Sequence, residues 1–318
     1  MRHLLSIADL TRQDIESLMS VAESFAEVVD RDIKKVPTLR GRTIVNLFYE
    51  SSTRTSSSFE LAAKRLSADV VNIKSDGSAV DKGESLKDTI ATLSAYDPAA
   101  IVIRAPWAGA ASFIARYSPA SVVNAGDGKH EHPSQALLDV FTLKRRLRVD
   151  SLDGLKIWIV GDVLHSRVAR SNVLAFTRMG AKVTVCGPPT LIPRDARTLG
   201  CEVAYDLHSL AEADVVYALR MQNERMDNTL VPSLREYVAR YQIDGRRLEP
   251  RQLLMHPGPV NRGVELAAEV IDSPQSLIVD QVASGLVVRM AILYELLSAG
   301  SGNRAPIAPP APTEKQPA

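Results

Sequence analysis

Short apolar runs alternate along the first half of the chain with longer stretches whose apolar residues recur at helical spacing. The short runs predict strands, because they are rich in β-branched residues and end in polar or turn-forming positions. A helix is predicted from Thr11, which forms a capping box with Asp14, to about residue 29. Ser57 and Glu60 have the same spacing, so another helix is expected to begin near Phe59. Strands are predicted at residues 44–48, 69–74, 100–103 and 122–124, and a further helix at 85–93.

The second half repeats this alternation after a long helix at residues 134–148, which we interpret as a bridge between domains. A final apolar helix at residues 284–297 is long enough to pack back on the first domain. Strands that alternate with helices predict parallel sheets, whose ligands bind beyond the carboxyl ends of the strands. The strands of this half are predicted at residues 156–160, 182–186, 214–219, 253–256 and 277–279.

The predicted fold is therefore α/β, with two doubly wound, Rossmann-like parallel-sheet domains joined by interdomain helices. A length of 318 residues exceeds the common size of one domain, and each half is large enough for its own core. We place the first domain at residues 1–133, with helix 284–299 packing back on it, and the second at 134–283. Residues 300–318 are rich in Pro and Ala without periodicity, which predicts a disordered tail.

Composition narrows the class of protein. Lys+Arg 38 against Asp+Glu 37 gives a net charge of +1, so no overall field attracts nucleic acid or a membrane surface. The basic run at residues 144–148 is better explained as a complement to the carboxyl end of its helix. Cys186 and Cys201 indicate neither a disulfide framework nor a metal cluster. Without a signal peptide or an apolar run of about 18 residues, the expected location is the cytoplasm.

One turn in the second half invites a dinucleotide interpretation. Gly161 and Asp162 directly follow a predicted strand, but the spacing lacks the G-x-G-x-x-G pattern. The next strand ends in Cys186 and Gly187, without the acidic residue that would hold a ribose. NAD binding is therefore not predicted, and no metal or organic cofactor is expected.

A cluster of hydroxyl groups around one arginine follows the first predicted strand. Ser52, Thr53 and Thr55 offer hydroxyl donors, and Arg54 offers a bidentate fork. The start of the next helix adds backbone N–H groups and the positive end of its dipole. This combination predicts a phosphate site. The alternative is a serine-rich turn with a solvated arginine, since Ser and Thr are ordinary helix caps.

Arg104 and His132 each follow a predicted strand end as well. Parallel strands end at one edge of their sheet, so both side chains are expected near Arg54. Taken alone, Arg104 could pair with an acid, His132 could be structural, and Arg167 could lie on the surface of a basic helix.

Several motifs together resemble the carbamoyltransferases, the family of the aspartate and ornithine enzymes. The runs Ser52-Thr53-Arg54-Thr55 and His132-Pro133-Ser134-Gln135 are specific to this family, and Arg220-x-Gln222 points to the aspartate branch. All motifs follow the family's order and approximate spacing between about residues 40 and 290. The others are Lys82-Gly83-Glu84-Ser85, Val102-Ile103-Arg104, Val160-Gly161-Asp162 followed by Arg167, and His256-Pro257-Gly258-Pro259. The run from His132 continues through Ala136-Leu137-Leu138 to Asp139.

The resemblance implies transfer of the carbamoyl group of carbamoyl phosphate to the α-amino group of L-aspartate, in de novo pyrimidine biosynthesis. It makes Arg54, Thr55, Arg104 and His132 the catalytic residues, of which the last three would donate to the carbonyl oxygen as it becomes anionic. The implied carbamoyl-phosphate site comprises Ser52, Thr53, Arg54, Thr55, Arg104, His132, Gln135, Pro257 and Gly258. Gln135 and the carbonyls of Pro257 and Gly258 would accept from the carbamoyl NH₂.

The same resemblance implies that L-aspartate is bound by Lys82, Arg167, Arg220, Gln222, Gly258 and Pro259. It also implies a homotrimer in which Ser78 and Lys82 reach the active site of the neighbouring subunit. A separate regulatory chain or a dihydroorotase partner stays open. Two residues depart from the family: Ser56 stands where many relatives carry arginine, and Gly258 where others carry leucine.

Two alternatives remain. A carbamoyltransferase for another amine, such as ornithine, would bring a cationic side chain against Arg220. A non-catalytic phosphate-binding or regulatory protein of the same fold would have no need for Arg54, Thr55, Arg104 and His132 together.

Overall fold

The computed structural model describes residues 1–74, 84–222 and 230–298, and it contains two parallel sheets. The first sheet has the strand order β2-β1-β3-β4. β1 and β3 are buried on both faces, as expected for the centre of a parallel sheet covered by helices. Its strands are β1 (Thr43–Phe48), β2 (Asp69–Lys74), β3 (Ala100–Ala105) and β4 (Ser121–Asp127).

The second sheet has the order β7-β6-β5-β8-β9. In both sheets the connections leave the central pair in opposite directions, between β1 and β3 in the first sheet and between β5 and β8 in the second. Such a switch point opens a crevice at the carboxyl ends of the two strands. The strands are β5 (Lys156–Val160), β6 (Lys182–Cys186), β7 (Glu202–Ala204), β8 (Val215–Ala218) and β9 (Leu253–Met255). The prediction of two doubly wound parallel sheets is confirmed.

The helices cover the faces of both sheets. The capping box of Thr11 and Asp14 is present, and α1 begins at the residue after Thr11. The described helices are α1 (Arg12–Val29), α2 (Thr53–Arg65), α3 (Leu86–Ser94), α4 (Ala110–Ala115), α5 (Pro133–Leu147), α6 (Arg167–Arg178), α7 (Leu234–Tyr241), α8 (Ala268–Ile271) and α9 (Ile278–Ser298).

α2 begins earlier than the sequence predicts. Its N-cap is Ser52, and the Ser56 N–H donates to the Ser52 carbonyl at 3.0 Å. The predicted capping box of Ser57 and Glu60 is therefore wrong, because both residues lie inside the helix. The consequence is functional, since the first helical turn now consists of Thr53, Arg54 and Thr55.

The predicted strand at residues 277–279 is also wrong. Ser276 forms an isolated parallel bridge to Leu254, and α9 then begins at Ile278. The helix therefore starts six residues before the predicted position, and its buried face begins with Gln281. β7, which the sequence did not predict, completes the second sheet at its edge.

α9 packs against α1, α2 and α5, where it shares one apolar core with both sheets. By length and composition it could cross a membrane, but 67% of its most apolar stretch is buried inside the protein, as in a core helix. The domain boundary between residues 133 and 134 stays a prediction. The predicted tail at residues 300–318 lies outside the described residues.

Candidate active site

A cavity of about 680 Å³ lies at the carboxyl ends of the central strands of both sheets. It is lined by all the predicted site residues that fall within the described ranges, and Ser78 and Lys82 lie outside those ranges. The lining includes Ser52, Thr53, Arg54, Thr55, Arg104, His132, Gln135, Arg167, Arg220, Gln222, Pro257, Gly258 and Pro259.

The first turn of α2 forms one wall of this cavity. Backbone N–H groups at a helix start have no partner within the helix, and the dipole there favours negative charge. The Ser52 side chain makes no capping hydrogen bond, so its hydroxyl does not compete for those groups. The hydroxyls and the Arg54 guanidinium surround the same turn, which makes it suited to a phosphate dianion.

Gly258 packs directly on the Arg54 guanidinium. Its φ of +64° lies in the left-handed region, and a Cβ atom there would come within 3.0 Å of Arg54 Cζ. Glycine at this position therefore lets the arginine lie against the backbone of the opposite wall. This contact places the guanidinium between α2 and the turn after β9.

Glu50 provides a counter-charge for two of the cavity arginines. Its Oε2 lies 3.5 Å from Arg104 Nε and also accepts a hydrogen bond from Arg167 Nη2. Arg167 is buried, and its Nη1 has no hydrogen-bond partner in the described part of the chain. Gly126, at φ +118°, permits this packing, since a Cβ there would lie 3.1 Å from the guanidinium. The sequence interpretation missed Glu50, although it directly precedes the serine cluster.

His132 contributes a neutral donor rather than a positive charge. Its backbone N–H donates to Ser171 Oγ at 2.8 Å, and Nδ1 lies 3.5 Å from Ser134 Oγ. Nε2 is buried and has no partner among the described residues. Burial, reinforced by the charges of Arg104 and two other arginines, lowers the pKa of His132 well below 6.5. A neutral imidazole with Nε2 protonated can donate to a carbonyl oxygen in the cavity.

We expect the His132 imidazole to remain neutral as the pH falls through 6.5, the ordinary value for histidine. A histidine whose folded pKa is lowered contributes stability above the unfolded pKa, and this contribution is lost as the pH falls below that value. NMR of the imidazole nitrogens measures it directly, with His132→Gln to assign the signals. An imidazole of His132 that gains its proton near 6.5 or above would contradict this expectation.

Arg289, a further cavity residue that the sequence did not single out, lies inside the apolar helix α9. Its Nη1 donates to Ser58 Oγ at 2.8 Å, and its Cζ lies 5.1 Å from the centre of the Phe59 ring. Burial lowers the pKa of Arg289 to about 10, so it remains charged at neutral pH. An arginine in the middle of the apolar run from Leu286 to Leu293 is the sequence signal that marks it.

The turn after β9 forms the wall opposite α2. Gly258 N–H donates to His256 Nδ1 at 2.8 Å, and His256 Nε2 lies 3.2 Å from Glu265 Oε1. The His256 backbone N–H donates to Gln281 Oε1 at 3.0 Å, which ties the turn to α9. These bonds fix the turn that carries the carbonyls of Pro257 and Gly258.

The cavity thus combines an anion cradle with cationic groups that approach from the other sheet. α2 brings the cradle and Arg54, whereas Arg220 and Gln222 follow β8 and Arg167 begins α6. Within the described ranges, no group of three or more His, Cys, Asp or Glu side chains could hold a metal ion. Because the α2 cradle and the arginines of the second sheet lie on different walls, the cavity can bind a phosphate at one end and carboxylates at the other.

Two family models match the chain. The carbamoyl-phosphate binding domain of aspartate/ornithine carbamoyltransferase matches residues 2–145, and the Asp/Orn binding domain matches residues 153–296.

Individual relatives cover nearly the whole chain. The aspartate carbamoyltransferase catalytic subunit of Acidothermus cellulolyticus is 55% identical over 304 residues, covering 94% of each chain. That of Salinispora arenicola is 56% identical over 310 residues, covering 95% of this chain and 99% of the relative. A crystal structure of aspartate transcarbamoylase from Trypanosoma cruzi with carbamoyl phosphate and aspartate is similar at 32% identity and a TM-score of 0.84. That match covers 93% of this chain and 97% of the other.

Proposed function

Because the chain belongs to the aspartate/ornithine carbamoyltransferase family, we propose that it is an aspartate carbamoyltransferase. It transfers the carbamoyl group of carbamoyl phosphate to the α-amino group of L-aspartate, giving N-carbamoyl-L-aspartate and phosphate. The observation that carries this proposal is one cavity that combines the α2 cradle with Arg167, Arg220 and Gln222. The product places the reaction in pyrimidine biosynthesis.

The proposed mechanism uses the two walls of the cavity for different groups. The unprotonated amine of aspartate attacks the carbonyl carbon, the C–O bond to phosphate breaks, and phosphate leaves with a proton from the amine. Thr55, Arg104 and His132 donate to the carbonyl oxygen as negative charge develops there, which lowers the barrier. The cradle of Ser52 to Thr55 holds the phosphate that leaves.

The choice of amine rests on the charge of the second wall. Arg220 suits one carboxylate of aspartate, since a guanidinium binds a carboxylate in a planar, bidentate geometry. Arg167 donates to Glu50 through Nη2, so it would reach the other carboxylate through Nη1, which has no partner among the described residues. Lys82 would add a cation from the neighbouring subunit, and Gln222, Gly258 and Pro259 would complete the site. Ornithine would place a cationic side chain against these arginines, so we expect it to be a poor substrate.

An assay of the purified protein tests the proposal. Carbamoyl phosphate labelled with ¹³C is supplied with L-aspartate or with L-ornithine, and the products are followed by NMR. We expect carbamoyl aspartate with the first amine and at least a hundredfold lower rate with the second. Preferential formation of citrulline would support the alternative, and no product with either amine would refute the function.

We also propose a homotrimer whose active sites are completed by Ser78 and Lys82 of the neighbouring subunit. Mixing Lys82→Ala with His132→Ala subunits in equal amounts is then expected to restore activity. Each mixed trimer contains one interface that joins an intact donor segment to an intact receiving site. Random assembly makes three quarters of the trimers mixed, so recovery should reach about one quarter of the wild-type activity.

The matched control for this mixing experiment pairs two variants on the same side of the interface. Arg54→Ala mixed with His132→Ala creates no intact site in a trimer, so no activity should return. Equal recovery in both mixtures, or none in the first after verified subunit exchange, contradicts shared sites.

Membership of the carbamoyltransferase family also supports a cytoplasmic location and a different ligand for each domain. The first domain would bind carbamoyl phosphate and the second would bind aspartate. The relatives are named as catalytic subunits, which supports a separate regulatory chain as a partner. A dihydroorotase is a further candidate partner.

A further inference from the structure

Asp139 is a buried carboxylate at the point where four elements meet. It lies on α5, one turn after Gln135, and has no exposed surface. Oδ1 accepts from Gln135 Nε2 at 3.0 Å and from Gln281 Nε2 at 2.7 Å. Oδ2 accepts from Asn172 Nδ2 at 2.9 Å and from Tyr217 Oη at 2.7 Å. The acceptor positions of the carboxylate are therefore filled by donors from α5, α9, α6 and β8.

This arrangement fixes the orientation of the Gln135 side chain. A side-chain amide has one end that donates and one that accepts, and a carboxylate attracts only the donating end. Because Nε2 is bound to Asp139, Oε1 is turned away from Asp139 on a side chain that lines the cavity. Rotating the amide by half a turn would place two oxygens face to face. The carboxylate thus keeps an acceptor, rather than a donor, on the cavity side.

Gln281, the second glutamine that donates to Asp139, orients the opposite wall of the cavity in a similar way. Gln281 donates to Asp139 and is thereby left with Oε1 to accept from the His256 N–H. That bond holds the start of the turn that carries Pro257 and Gly258. One carboxylate therefore aligns both the Gln135 amide and the backbone carbonyls of the turn.

We propose that Asp139 is a positioning residue that presents these acceptors to the amino group of the carbamoyl donor. The proposal rests on the proposed function and deepens it, because it assigns the basis for choosing carbamoyl phosphate over acetyl phosphate. Acetyl phosphate has nearly the same shape but carries a methyl group in place of NH₂. A site whose buried acceptors need a donor discriminates strongly against a ligand that lacks it.

A direct binding experiment tests the proposal without requiring turnover. Calorimetry at low temperature gives Kd values for carbamoyl phosphate, acetyl phosphate and inorganic phosphate with no amine present. In Asp139→Ala the Kd of carbamoyl phosphate is expected to rise at least tenfold, whereas the other two should change less than threefold. Among the described residues, the hydrogen bonds of Asp139 go to Gln135, Gln281, Asn172 and Tyr217 and not to the phosphate cradle on α2, so inorganic phosphate reports on the integrity of the site.

Two further variants separate positioning from stability. Asp139→Asn should restore most of the preference for carbamoyl phosphate, because its oxygen can still face Gln135 and Gln281. Its NH₂ group then donates to the Tyr217 hydroxyl and to Asn172, whose amide flips to present Oδ1. Tyr217→Phe removes one buried donor outside the cavity, so the thermal midpoint should fall while all three Kd values stay within threefold. Gln281→Met removes the hydrogen bonds of Gln281 to Asp139 and to the His256 N–H but keeps that of Gln135. It should raise the Kd of carbamoyl phosphate at least threefold.

If folded Asp139→Ala keeps the wild-type preference for carbamoyl phosphate over acetyl phosphate, the proposal is overturned. It is also overturned if Tyr217→Phe loses as much of that preference as Asp139→Ala does. Should Asp139→Ala not fold, an unchanged preference in Gln281→Met overturns it instead. Failure of the proposed function is recognised separately, because the wild-type protein would then show no preference for carbamoyl over acetyl phosphate.

Discussion

Replacing Arg54 with alanine is expected to lower kcat by about 10² to 10³, or about 3 to 4 kcal/mol of transition-state stabilisation. Arg54 lies in the first turn of α2 and packs against Gly258, so in the proposed mechanism its guanidinium would face the negative charge of the leaving phosphate. A charge-assisted bidentate contact of this kind has no replacement once the side chain is removed. Steady-state kinetics with saturating substrates measures the loss.

Two variants control for this result. Arg54→Lys keeps the charge without the planar fork, and it should recover only part of the rate. Arg12→Ala removes an exposed arginine that pairs with Asp153 far from the cavity, and it should leave kcat unchanged. Near-normal kcat and carbamoyl-phosphate affinity in folded Arg54→Ala would refute the phosphate assignment.

Arg220→Ala is expected to raise the aspartate concentration needed for half-saturation by tens- to thousands-fold. The loss leaves a ligand carboxylate without its guanidinium partner, which costs about 2 to 5 kcal/mol. Arg220 follows β8 after a single residue, so the sheet fixes its backbone. Carbamoyl-phosphate binding should change much less, because its cradle belongs to α2. Aspartate saturation curves at fixed carbamoyl phosphate measure the effect.

A structural arginine on the same domain gives the matched control. Arg178 Nη1 donates to the carbonyls of Ile7 at 2.6 Å and Ala8 at 3.2 Å, well away from the cavity lining. Arg178→Ala should therefore lower the thermal midpoint without changing aspartate saturation. If Arg220→Ala shows this same pattern, Arg220 stabilises the domains and does not bind substrate.

The strands of the sheets were predictable where they are buried on both faces. A parallel strand covered on both faces forms a nearly continuous apolar run, and the predicted bounds of β5 and β6 agree with the structure. β7 has only three residues at the sheet edge and carries no such run. The apolar residues 277–279 look like a strand, but they precede Gln281 and Ser284 on one buried helical face. Local composition does not reveal that face.

The start of α2 shows a different limit. Ser57 and Glu60 match a capping box by spacing alone, whereas the true cap, Ser52, is followed three residues later by Thr55, so no capping-box pattern marks it. The serine cluster was found because its residue types are those that bind phosphate. The position of the serine cluster in the first turn of α2 depends on where β1 ends and the helix begins.

The motifs predicted most of the polar residues that line the cavity, but they missed Arg289 and Glu50 and gave Asp139 no role. Glu50 and Asp139 act through contacts with side chains that are distant in sequence, such as Arg167 and Gln281. Nothing in the local pattern distinguishes such an acid from a surface carboxylate. Their importance emerges only when the strands and helices are brought together.

The position of α9 has a consequence for synthesis on the ribosome. The first sheet is complete once Asp127 has been made, but the helix that closes its core begins only at Ile278. At about 5 to 20 residues per second, the nascent amino-terminal half waits about 8 to 30 s with this apolar surface uncovered. The half that is translated first is thus expected to be a client of chaperones until the last helix emerges.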